Sequence, residues 1–103
     1  MLTETFVDKR LFERLPCSLV GKYESSDGSS GEVRCQNISA LGVKVTLSKS
    51  LIIGSSLRIS FAAKRQMLFS VEGNIRWCRK NSLAWNVGVT FHKPLFFPMG
   101  LVV

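Results

Sequence analysis

The sequence predicts an all-β domain of six short strands, an antiparallel sandwich or closed barrel, preceded by a flexible N-terminal arm. Three observations carry that expectation. From Cys17 onward, apolar and polar residues alternate with a period of two, the pattern of strands that bury one face. Clusters of turn-forming residues break the alternation at short, regular intervals. No helical pattern longer than two turns interrupts the series.

Taken in order, the strands are expected at about 17–24, 31–38, 42–47, 56–62, 66–78 and 83–92. Val33 and Cys35 share a face in the second; Val43, Val45 and Leu47 in the third; Leu57, Ile59 and Phe61 in the fourth. In the fifth, Met67, Phe69, Val71, Ile75 and Trp77 fall in phase, and in the sixth Trp85, Val87, Val89 and Phe91. Being in phase with aliphatic positions, Trp77 and Trp85 are read as core residues rather than as a stacking platform for bases. The segment 25–31 joins strands with two Gly, one Asp and four Ser; 48–54 carries a Gly; 79–82 is polar.

Short strands of this kind in 103 residues with 46% hydrophobic positions leave room for one core and not for two. Two segments lie outside the barrel, which is expected to span 16–93. The arm, 1–15, is dense in charge (Asp8, Lys9, Arg10, Glu13, Arg14), and Pro16 limits any helix to the residues before it. The tail, 94–103, is apolar and is expected to cover an open end of the barrel. No run approaches the eighteen or so apolar residues of a membrane span, and residues 1–14 lack the pattern of a secretory signal. A cytoplasmic protein is the resulting expectation.

Composition and residue types narrow the function. A formal charge of +7 favours anionic partners: nucleic acid, a nucleotide or an acidic surface. Cys17, Cys35 and Cys78 are odd in number and widely spaced, which fits reduced thiols better than a disulfide framework or a zinc site. None has a histidine beside it to act as an activating base. His92 is the only histidine and is read as a surface residue. With no acid, base, nucleophile or metal set visible, neither an enzyme nor a metal or organic cofactor is expected.

Two motifs remain. Arg10 and Arg14 stand four apart, so that in a helical turn both guanidinium groups project from one side of the arm. Guanidinium suits a guanine nucleotide, since it forks onto phosphate, onto the O6/N7 edge of guanine, and stacks on the base. A solvated basic face is the plain alternative. The run Asn37-Ile38-Ser39-Ala40-Leu41-Gly42 is the more specific signal: two short polar side chains end a strand, with a glycine three residues later. Such a turn can present Asn37 and Ser39 outward to base edges or phosphate oxygens, while Gly42 allows positive φ or close approach of a ligand. A strand-connecting turn closed by its own side chains is the competing reading.

RxxxR at Arg10 and Arg14, followed by NxSxxG at Asn37, Ser39 and Gly42 ahead of a six-strand pattern, resembles the PilZ domain family over about residues 9–91. Asn37 stands where Asp is commoner, and the apolar tail stands where many members carry a helix. The resemblance implies a six-stranded antiparallel β-barrel that binds the bacterial second messenger cyclic di-GMP, with the arm clasping the ligand against the barrel's outer face. It implies guanine and phosphate contacts from Arg10 and Arg14, hydrogen bonds from Asn37 and Ser39, a loop shaped by Gly42, and a phosphate contact from Lys9. A protein partner would receive the signal. Two alternatives stay open: a PilZ-like module working through protein contacts alone, and a small basic barrel for single-stranded nucleic acid, which the core phase of the aromatics disfavours.

Overall fold

The computed structural model describes residues 15–63 and 66–95. Seven strands follow one another: β1 (Leu15–Pro16), β2 (Val20–Ser25), β3 (Ser30–Ile38), β4 (Gly42–Leu47), β5 (Ser56–Ala63), β6 (Gln66–Asn81) and β7 (Ala84–Phe91). All pairings are antiparallel, in the order β1-β3-β2-β5-β6-β7-β4, and a further β3–β4 pairing closes six of the strands into a barrel. The six expected strands are therefore present. β1 is an addition, a two-residue start to the first expected strand, which continues past Pro16 to β2 along the same edge of β3. The Cys17 amide donates to Gln36 O (3.2 Å) and the Cys35 amide to Leu19 O (2.9 Å), which carries the pairing across the gap.

The core is built from the inward positions of every long strand, with Phe61, Ile59, Val43, Val45 and Val87 fully buried. Phe61 stacks at a tilt on Phe69, ring centroids 5.2 Å apart. Leu51, from the loop after β4, closes the core from one side. At another edge, Leu95 packs partly buried against the core, and its amide donates to Ala40 O. Residues 96–103, most of the tail expected to cover the barrel, lie outside the described residues.

Length lets β6 serve two neighbours. Its first half pairs with β5 through residues 66–74 and its second half with β7 through 73–81. Three register shifts break the ladders, between Cys35 and Asn37, Phe61 and Ala62, and Ile75 and Trp77. Each inserted residue sharpens the local bend needed to close a small barrel, and each reverses the side-chain parity of the residues beyond it. Trp77 is consequently not a core residue. Past the shift it lies opposite Gly88, a position that alternates with the buried Val87 and Val89, and it is half-exposed on the outer face. Trp85, though in inward phase, is also only half-buried, because it sits where β4 and β7 end.

The cysteines are free thiols: Cys17 and Cys35 are buried and Cys78 is half-buried. Burial, reinforced by the neighbouring Cys17, pushes the Cys35 thiol far up from its ordinary value. A thiol reagent added to native protein at pH 8 is therefore expected to modify Cys78 first, with Cys17 and Cys35 reacting only on unfolding. Mass spectrometry of the labelled peptides reads the order.

Candidate functional site

Strand register brings the site together. On the outside of the barrel Asn37 lies opposite Lys44, Lys44 opposite Gly88, and Gly88 opposite Trp77, one row across β3, β4, β7 and β6. In the next row Arg34 lies opposite Thr46, Thr46 opposite Asn86 and Asn86 opposite Arg79. Adjacent strands stand about 4.8 Å apart, so the two rows form a patch broad enough for a nucleotide.

The patch is ordered by its own bonds. The Gln36 side-chain amide donates to Thr46 Oγ1 and to Asn86 Oδ1 (3.0 Å), and Thr46 Oγ1 donates to Asn86 Oδ1 (3.1 Å). Gln36 reaches them because it is the extra residue in the β3–β4 ladder, displaced from the regular alternation. Arg79 lies over the Trp77 ring, its guanidinium carbon 5.3 Å from the centroid, an attraction of cation for π-face that holds both side chains together. Trp77 in turn rests on Gly88. A Cβ there would stand 2.2 Å from the indole nitrogen and 2.3 Å from Cε2, so only glycine leaves the ring its seat.

The residues expected from the motifs divide. Asn37 is half-buried in the outer row and engaged in an interaction of its own. Ser39, by contrast, is 3% exposed and turned onto its own loop: its Oγ accepts from the amides of Leu41 (3.2 Å) and Gly42 (3.3 Å) and donates to Gly42 O (3.4 Å). The expected outward presentation thus holds for Asn37 alone. Ser39 acts by closing the turn, with the Ser39 amide bonded to Gly42 O at 2.8 Å. Gly42 needs no positive φ; among the described residues the glycines with positive φ are Gly28 and Gly54. A Cβ on Gly42 would lie 2.4 Å from Val89 O, so its task is to let β4 and β7 approach. Lys9, Arg10 and Arg14 lie outside the described residues. The described chain nevertheless begins beside the motif, since Leu15 pairs with Ile38 and Pro16 with Asn37.

The sequence pattern does not assign Trp77, Arg79 or Lys44 to a site. Two of its features nonetheless point to them: Gly88 in the middle of a strand, and the cations Arg76, Arg79 and Lys80 where β6 should have stayed amphipathic. His92 is a surface residue, bonded through Nε2 to Asn74 Oδ1 at 2.9 Å. Among the described residues no three His, Cys, Asp or Glu gather as for a metal ion, and no helix is long and apolar enough to cross a membrane. An outer groove of about 420 Å³ beside His92, lined by Glu24, Arg58 and Glu72, holds the exposed Arg58–Glu72 ion pair at 3.1 Å. A second groove of about 720 Å³, lined by Val20, Lys22, Ser60 and Ala62, touches the two rows only through Arg34 and Thr46.

Compared with known proteins, the chain matches a family model described as PilZ domain over residues 8–95. No curated protein matches it.

Proposed function

The chain belongs to the PilZ domain family, and from that premise we propose that it is a non-catalytic receptor binding cyclic di-GMP across β3, β4, β7 and the far half of β6. One observation carries the reading. Asn37 of the family motif, Lys44, Gly88 and the Trp77–Arg79 pair stand in adjoining positions on a single outer face, next to the point where the arm joins the barrel.

The chemistry matches the ligand part by part. Cyclic di-GMP carries two phosphodiester charges and two guanines. Arg79 offers a fork of donors for the O6/N7 edge of guanine or for phosphate, and the Trp77 indole offers an apolar face against which a base can pack. Asn37 supplies hydrogen bonds at the opposite end of the row. Arg10 and Arg14, with Lys9, would close over the ligand from the arm, and Ser39 and Gly42 would keep the turn that carries Asn37 in shape. Binding rather than turnover is the activity proposed, and a protein partner would sense the closed arm.

Calorimetric titration tests the reading. Cyclic di-GMP should bind with GMP and linear di-GMP far weaker, because only the cyclic ligand spans both rows and the arm; equal affinity for GMP would sink the proposal. A single-stranded oligonucleotide that bound more tightly than cyclic di-GMP would favour the nucleic-acid reading. Arg10→Ala and Arg14→Ala are each expected to weaken cyclic di-GMP binding at least tenfold, since a lost charge-assisted contact costs about 1.5–3 kcal/mol. Melting temperatures of the free variants should stay near that of the unsubstituted protein.

Signal transmission would follow from ordering the arm. Fixing a backbone costs about 1–2 kcal/mol per residue, and the charged stretch 8–14 has few apolar groups to offset it, so ligand contacts must supply the difference. Amide exchange at residues 8–14 should slow on saturation with cyclic di-GMP. Equal protection with and without ligand would mean a preformed arm and no switch.

A further inference from the structure

We propose that Lys44, at the centre of the outer face, is a phosphate-binding residue of the nucleotide site, a role the family motif does not assign to it; this rests on the receptor reading above. Lys44 alternates with the buried Val43 and Val45, so its side chain leaves the barrel on the outer face, where it is half-buried between Asn37 and Gly88. Neither residue opposite it, Asn37 or Gly88, carries a charge to pair with its ammonium group.

The charges around it leave that pairing to a ligand. Four acidic residues are described, and none lies in the row of Lys44 or opposite it. Glu32 is opposite Lys22, Glu72 is ion-paired with Arg58, Glu24 is opposite Arg58, and Asp27 is in the β2–β3 turn. Lys22 and Arg58 are thus matched by opposite charge across strands. The face of Lys44 has no such match: Arg79 joins it in the adjoining row and no carboxylate lies opposite either of them, whereas Arg34, in that same row, shares its groove with Glu32. Like charges gathered within two strands' width repel one another. A dianionic ligand reverses the sign of that energy, and Lys44 stands midway between Asn37 and the Trp77 seat, under the span a cyclic dinucleotide would cover.

Cyclic di-GMP titrated against the full chain at several salt concentrations decides the matter, using Lys44→Gln, Lys44→Arg and, as a control of equal charge change, Lys22→Gln. Lys44→Gln should bind about tenfold more weakly at low ionic strength, with the deficit shrinking as salt screens the contact. Lys44→Arg should recover most of the affinity, and Lys22→Gln should match the unsubstituted protein. If Lys44→Gln binds as tightly as the unsubstituted protein at every salt concentration, or Lys22→Gln loses as much, Lys44 is not a ligand contact and the receptor reading survives. If the unsubstituted protein fails to bind, both fall. Thermal melts check that the variants are folded.

Discussion

Phe61→Ala is expected to destabilise the barrel by about 3–5 kcal/mol, a large part of the roughly 5–15 kcal/mol that holds a domain of this size. Phe61 is fully buried, stacks on Phe69, and crosses from β5 toward Gly21 on β2, where an added Cβ would lie 3.1 Å from its ring. Truncation removes the stack and leaves a cavity between strands that the closed sheet cannot easily collapse. Urea unfolding followed by circular dichroism measures the loss. A cost below about 1 kcal/mol would mean that the β2–β5 side of the core is far looser than this packing.

Gly88→Ala should have the opposite profile, leaving the fold while emptying the site. The atoms that a Cβ would meet at Gly88 all belong to the Trp77 side chain, at 2.2, 2.3 and 2.8 Å, and a side chain can swing away. At Gly42 and Gly73 the nearest obstacles are the Val89 and Thr90 carbonyl oxygens, at 2.4 and 2.2 Å, which cannot. Displacing the indole also removes the surface over which Arg79 is held. Since stacking a base on an aromatic ring contributes about 1–3 kcal/mol, cyclic di-GMP affinity is expected to fall about tenfold or more. Tryptophan emission should shift to the red and the melting temperature should change by only a few degrees. Unchanged affinity would remove Trp77 from the binding face.

The contrast between these glycines bears on how far the sequence could be read. Gly42 was legible as a required glycine, but its reason was not: a strand crossing, not a turn conformation or a ligand, excludes the Cβ. Ser39 was legible as a polar group at the end of a strand. Whether its hydroxyl faces a ligand or its own loop depends on how residues 39–42 fold back, and the amides of Leu41 and Gly42, which need partners once buried, claim it.

The set of strands is already contained in the order of the residues, while closure into a barrel is decided by the β3–β4 pairing. An inward residue at every second position leaves one apolar face per strand, and six such faces can be buried either between two packed sheets or inside one closed barrel. The NxSxxG turn and the place of Asn37 beside the start of the barrel belong to the same local order. Which face Trp77, Arg79 and Gln36 occupy is settled at a different level, by the closed barrel as a whole. The register shifts at Cys35/Asn37 and Ile75/Trp77 arise from the bending of a closed sheet, a demand that no single strand records. One inserted residue reverses every side chain beyond it, and so two positions that read as core or as unremarkable polar sequence, Trp77 and Lys44, come to stand in one row with Asn37.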